Sequence, residues 1–336
     1  MKLYLTPEPS LELIRYLRST NGEDGIGGST MRKRTLGDAI NTTRALDELD
    51  TTAQLWLSHI DGPVHAFVSD HAKGTSTKRL VTHVLSGPIP HGCFIDLGHG
   101  VCVCSPNFTF LQLASKLSLL ETVQIGMELC GSYSRWRLVP RQMGDPYYFE
   151  RPETRSCTFQ VPPATSLARL LPFLERMHGQ RGARNARAAT RWMADDSASP
   201  METAVFLLLS LPKRLGGYGL PKPVLNPKLI ISNPDGSKER YPDMFWAGAN
   251  IDVEYNSDSA HSGEWARYRD SKREIEMTVA NLKVLPLTRP QLMSAEEFDM
   301  FARGLRRMLG IRARGTDLSW QFRRDELRET LLRDWK

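Results

Sequence analysis

Hydrophobic positions along this chain recur with two periods. Apolar residues at three- and four-residue intervals predict a helix over PSLELIRYLRS (9–19) and another over 36–60. The same spacing predicts one long amphipathic helix or a helix pair over 108–134, and helix again over 165–196. Short apolar and alternating runs punctuated by Gly and Pro (PVHAFVSD, KRLVTHVLSGP, GCFIDLGHGVCVCSP) predict a β-rich stretch between them. The Gly-rich NGEDGIGGST (21–30) lacks a following GKS or GKT and reads as a loop, not a phosphate cradle. Residues 137–163, rich in Pro, Arg and aromatics, have no clean period and read as a linker.

The order becomes more telling from Ser199 onward. SPMETAVFLLLSLP reads as a helix with Ser199 as N-cap and Pro200 in the first helical position. Strands are expected at 226–232, 240–247 and 251–256, separated by the turn sequences NPDGSK (233–238) and AGAN (247–250). A helix over 266–282, a strand over 283–288 and a closing helix over 294–309, capped by Ser294 and Glu297, complete an αβββαβα order. The final segment, DLSWQFRRDELRETLLRDWK, reads as an amphipathic helix that docks or stays solvated.

A length of 336 residues allows two ordinary domains. The net charge of +6 fits a polyanionic partner, and arginine gathers at 181–191 and 303–315, either as solvated helix faces or as phosphate contacts. Five cysteines without a paired spacing speak for reduced thiols and against a zinc site. The longest apolar run, AVFLLLSLP (204–212), is too short for a bilayer, and the N-terminal residues lack a secretory pattern. A soluble, cytoplasmic protein with no membrane partner is the expectation.

The candidate chemistry lies in IDVEYN. Alternation puts Asp252, Glu254 and Asn256 on one face of a strand, and buried carboxylates require a cation, whether a metal ion or an arginine. Asp243 and Glu254 stand eleven positions apart across AGAN, so a tight antiparallel hairpin brings them together. Two such carboxylates suit Mg²⁺ or Mn²⁺, which take oxygen ligands and fill the rest of the shell with water and phosphate. Glu202 would add a third carboxylate or orient a ligand, and Asp252 is a reserve ligand. His261 is placed to act as a general acid or to touch a phosphate, and Arg269 and Arg273, at i and i+4, to clamp one. Each residue also has a plain reading. Glu202 suits a helix's first turn, Asp243 ends a hairpin, Glu254 pairs with Arg269 or Arg273, and His261 is a loop histidine.

Residues 199–309 resemble the PD-(D/E)XK nuclease superfamily, in its branch near the very-short-patch-repair endonucleases. The resemblance rests on Ser199-Pro200-Met201-Glu202-Thr203, Pro242-Asp243, Glu254-Tyr255-Asn256-Ser257 with His261, and Arg269-Asp270-Ser271-Lys272-Arg273. It implies an α/β fold with a PD-(D/E)XK-type core and metal-dependent hydrolysis of DNA phosphodiester bonds. Asp243, Glu254 and Asp252 would be metal ligands, Asn256 would position water, and Arg269 and Arg273 would bind phosphate. Asn256 stands where that branch usually has Asp, and no lysine takes the place. Residues 60–130 resemble antitoxin-type proteins of abortive-infection systems through VHAFVSD, RLVTHVLSG and GVCVCSPNFTFLQLA.

The expected organisation is an N-terminal α+β domain (1–150), a helical connector (151–198), a restriction-endonuclease-like domain (199–315) and a C-terminal helix (316–336). Two functions follow. One is a Mg²⁺-dependent DNA endonuclease or nickase. The other is a non-catalytic DNA-binding regulator of the antitoxin type, whose N-terminal domain contacts DNA or a protein partner.

Overall fold

The computed structural model describes residues 1–22, 25–31, 36–85, 89–137, 155–233, 236–256, 282–312 and 318–333. It is a mixed α/β protein of two compact units, 1–193 and 194–336.

The first unit opens with β1 (Leu3–Tyr4) and α1 (Pro7–Thr20), followed by β2 (Ser29–Thr30), α2 (Thr43–Asp47) and α3 (Thr51–Leu57). Strands β3 (Val64–Val68), β4 (Leu80–Val84), β5 (Phe94–Gly98) and β6 (Val101–Cys104) come next, then α4 (Pro106–Leu113) and α5 (Leu119–Cys130). The unit closes with β7 (Tyr133–Arg137), β8 (Arg155–Phe159), α6 (Leu167–Arg176) and α7 (Ala183–Thr190). Its four-stranded sheet has the order β1-β6-β5-β2, with β1 parallel to β6 and the other pairs antiparallel. Strands β3 and β4 form a separate parallel pair. Leu3, Leu5, Leu13, Leu17, Val101 and Val103 share the core.

Three expectations change here. The helix expected over 36–60 divides in two, because Thr42 and Asp50 each accept a hydrogen bond from a backbone N–H three residues on and so start new helices. The linker expected over 137–163 instead contributes to the β7–β8 hairpin, in which Tyr133 pairs with Phe159; residues 138–154 lie outside the described residues. The helix expected over 165–196 is broken into α6 and α7 at Gly182, which adopts a left-handed φ of 90°. Region 108–134 is a helix pair, its second member opened by a Ser118–Glu121 capping box.

The second unit begins with α8 (Pro200–Ser210), which is buried at every position, as an all-round apolar helix must be. Then come β9 (Val224–Leu225), β10 (Leu229–Asn233), β11 (Gly236–Arg240), β12 (Met244–Trp246), β13 (Ile251–Asn256) and β14 (Lys283–Thr288). Helices α9 (Arg289–Met293), α10 (Ala295–Met308) and α11 (Leu318–Leu332) follow. The sheet order is β14-β13-β12-β9; β12 runs antiparallel to both neighbours, whereas β13 and β14 are parallel. The helix expected over 266–282 lies outside the described residues.

The strands expected at 226–232 and 240–247 need correction. Residues 229–233 and 236–240 form their own two-stranded ribbon, Asn233 opposite Gly236, and the sheet's edge is the two-residue β9. Pro242, which has no N–H for a ladder, separates the ribbon from β12. The last helix docks on the second unit. Trp320, Leu327, Leu331 and Leu332 are buried, and Trp320 Nε1 donates to the Gly217 carbonyl at 3.0 Å. Gly216 permits this approach, since a Cβ there would lie 2.3 Å from the Arg323 carbonyl oxygen.

Candidate functional site

The β12–β13 hairpin sets the geometry. Its turn closes at Asn250, which takes the left-handed φ of 52° that asparagine tolerates better than most residues. Met244 pairs with Val253 and Phe245 with Asp252, so Asp243, one residue earlier, falls opposite Glu254. The Tyr255 N–H donates to Asp243 Oδ2 at 2.8 Å and fixes that carboxylate across the strand end. Strand alternation gives Asp252, Glu254 and Asn256 one face and Ile251, Val253 and Tyr255 the other. Both faces are covered. Residues 251–254 are all buried, Tyr255 is half-buried and Asn256 is exposed at the strand's end.

Asp252 is the unusual member. Its side chain is fully buried (0% exposed) and makes no well-formed hydrogen bond among the described residues, its polar contacts being the Met244 backbone and the Glu254 carboxyl. Burial first, then the charges of Glu254 and Asp243, push its carboxyl up to about 8. A group so placed is protonated at neutral pH in the absence of a compensating cation.

Glu202 is held differently. Its N–H donates to Ser199 Oγ at 3.0 Å, and Ser199 Oγ donates back to Oε1 at 3.0 Å. Oε2 accepts from the Ala198 N–H at 2.9 Å and from Asn226 Nδ2 at 2.8 Å. Burial raises this carboxyl above its ordinary range; the Asn226 bond opposes the rise and the Asp243 charge adds to it. Glu202 is therefore a buried, hydrogen-bonded cap that feels the Asp243 charge.

Asn226 was not among the residues expected from sequence. Its backbone N–H donates to the Asp243 carbonyl at 3.2 Å while its side chain holds Glu202, so it ties the helix start to the strand carrying Asp243. Its segment, NPKLIIS, reads from sequence as the start of a strand; the left-handed φ of 45° appears only in the fold.

The structure thus brings Asp243, Glu254 and Asp252 together, with Glu202 beside Asp243 and Asn256 at the open end of the strand. His261, Arg269 and Arg273 lie outside the described residues. Among the described residues, no group of three or more His, Cys, Asp or Glu is arranged as a ready metal shell. Mg²⁺ does not require one, because one or two carboxylates commonly suffice. The donor set here is all oxygen, and Asp252 faces two further carboxyl groups, Glu254 and Asp243. Both features fit a hard divalent cation.

No family model, curated protein or solved structure matches this chain. Among the described residues, no helix is long and apolar enough to cross a membrane.

Proposed function

We propose that the second unit is a metal-dependent DNA endonuclease or nickase of the PD-(D/E)XK type. The observation that carries this reading is the fully buried Asp252 carboxyl, crowded by Glu254 and Asp243 and without a well-formed hydrogen bond among the described residues. Isolating a carboxylate this way costs several kcal/mol of desolvation, so burial of this kind points to a ligand that supplies positive charge. The mixed sheet running from β9 to β14, with α8 ahead of it, is compatible with the same assignment.

Asp243 and Glu254, opposite one another, would hold Mg²⁺ or Mn²⁺, with Asp252 as the further oxygen donor. When bound, that ion polarises a phosphoryl oxygen and acidifies water. The chain's own residues supply the rest. Tyr255 N–H keeps Asp243 pointed across the hairpin, and Glu202 with Asn226 fixes the backbone beneath it. The Asn256 amide, at the exposed strand end, orients water by hydrogen bonding. In this proposal His261 protonates the leaving oxygen, and Arg269 and Arg273 take phosphate charge.

One observation favours a second reading. Asn256 contributes neither the negative charge nor the basicity of the acid usual at its position, which suits a DNA-binding regulator of antitoxin type that does not cut. Incubating supercoiled plasmid with the full chain and Mg²⁺ or Mn²⁺ separates the two. The enzyme reading expects nicked circles from wild type and none from Glu254→Gln or Asp243→Asn. DNA binding with intact plasmid at every metal concentration would leave the regulator.

A further inference from the structure

The first unit contains a cleft of about 430 Å³, within the range of small-ligand pockets. Its lining is basic in a way that three separate parts of the chain have to cooperate to produce. The parallel register of β3 and β4 sets Phe67 against His83, with His65 two residues earlier on the same face. The His65 and His83 rings stack with centroids 5.1 Å apart, and His65 Nδ1 lies 2.8 Å from His83 Nε2. One ring must donate and the other accept across that contact, so the pair holds at most one extra proton while it lasts.

Lys116, just past the end of α4, brings a second cation and pairs with Glu8 at 2.5 Å. Arg181 brings a third. Its neighbour Gly182 lies so close to α4 that a Cβ would sit 2.4 Å from the Leu111 carbonyl oxygen and 2.9 Å from the Ser115 nitrogen. Only glycine permits that approach at a φ of 90°, and it seats Arg181 in the cleft wall. Thr6, the N-cap residue of α1, also lines the cleft, 3% exposed and with its hydroxyl lacking a hydrogen-bond partner. The positive end of the α1 dipole therefore faces this site. Pro7 carries no N–H, so the helix start contributes field more than donors. Phe67 supplies an apolar wall.

We propose that this cleft binds the phosphate group of a small phosphomonoester of mononucleotide size. Glu8 offsets one of the two fixed cations, and a protonated histidine pair adds another positive charge, which suits a dianion better than a monocarboxylate. Arginine and lysine donors recognise phosphate oxygens by charge-assisted hydrogen bonds. The remaining volume takes the ester's body against Phe67.

The test is calorimetric titration of the full chain with inorganic phosphate, a nucleoside monophosphate and acetate, with imidazole resonances of His65 and His83 followed in parallel. Saturable binding of both phosphates, tighter for the nucleotide, with both imidazoles shifting, is expected. Arg181→Gln and Lys116→Gln each weaken it by about tenfold, whereas Glu8→Gln strengthens it. Both basic side chains are exposed, so these variants keep the fold. Affinity rises from alkaline to mildly acidic pH as the histidine pair gains a proton; Lys116, Arg181 and Glu8 are the other charged groups lining the cleft. Burial, then His65 and Lys116, hold His83 below the usual imidazole range and Glu8 opposes them, so a bound anion shifts its titration upward. The proposal is overturned by absence of saturable phosphate binding, by equal affinity for acetate, or by wild-type affinity in both cation variants. Displacement by duplex DNA with no binding of the mononucleotide would also overturn it.

Discussion

Glu128 in the first unit and Asp252 in the second are buried carboxylates with opposite fates. Glu128, 2% exposed, accepts from Arg15 through both oxygens, Nε at 2.7 Å and Nη2 at 2.5 Å, and from the Arg135 N–H at 2.9 Å. Burial pushes its carboxyl up, but the Arg15 charge and these hydrogen bonds outweigh that and leave it below the ordinary range. Asp252 is at least as buried by surface area, makes no well-formed hydrogen bond among the described residues, and has two carboxylates for neighbours. Similar burial thus gives shifts of opposite sign. The first unit completes its buried charge internally and gains a crosslink between α1, α5 and β7. The second shows no such ion-pair partner for Asp252 among the described residues, and in the proposed reading a bound cation supplies it.

Glu128→Ala gives the largest stability effect. It leaves the Arg15 guanidinium and the Arg135 N–H without their acceptor, and loss of a buried partner of this kind costs about 3–5 kcal/mol. Urea unfolding of wild type and variant measures it. Asp252→Asn, by contrast, is expected to be neutral or stabilising in metal-free protein near pH 8, because it removes a carboxyl the fold disfavours in its charged form. A loss of stability as large as that of Glu128→Ala would erase the distinction.

The pH profile sharpens the same contrast. The raised Asp252 carboxyl keeps its proton in the folded state after the unfolded chain has released it. Stability of metal-free protein therefore falls as pH rises from the ordinary carboxylate range to about 8, by at most about 1.4 kcal/mol per pH unit from this group. Glu128 contributes in the opposite sense: its stabilisation is present above the unfolded carboxylate range and is lost as pH falls through its lowered folded value. Unfolding followed across pH in Asp252→Asn should show the upper slope reduced, and an unchanged slope would mean that Asp252 is not its source. Asn226→Ala is expected to cost less than Glu128→Ala. It removes a donor to the buried Glu202 and costs roughly 1–3 kcal/mol, read by the same unfolding experiment.

Much of the site was legible before the fold was known, because it depends on local rules. A four-residue turn between Asp243 and Glu254, with alternation through IDVEYN, fixes which residues oppose and which share a face. Ser199 and Glu202 likewise announce a helix start. What escaped depends on partners distant in sequence. The two residues of β9 are too few to show a period, so the edge strand was assigned to the longer apolar run at 226–232, which pairs instead with 236–240. Asn226 reads as the first residue of that expected strand until the fold sets it between Glu202 and Asp243. The basic cleft of the first unit has no sequence signal either, since His65, His83, Lys116 and Arg181 sit on four separate segments and share no spacing. The basic run at 181–191 was noticed as charge, but only the close approach of Gly182 to α4 gives Arg181 a place.

Calorimetric titration of Mg²⁺ and Mn²⁺ into the full chain and into Glu254→Gln, with circular dichroism to establish that the variant is folded, tests the central claim most directly. The account predicts saturable binding by wild type, accompanied by proton release near neutral pH as Asp252 ionises, and loss of both in the variant. Absence of metal binding by wild-type protein, or undiminished binding by Glu254→Gln, would contradict the assignment of this carboxylate group as a cation site.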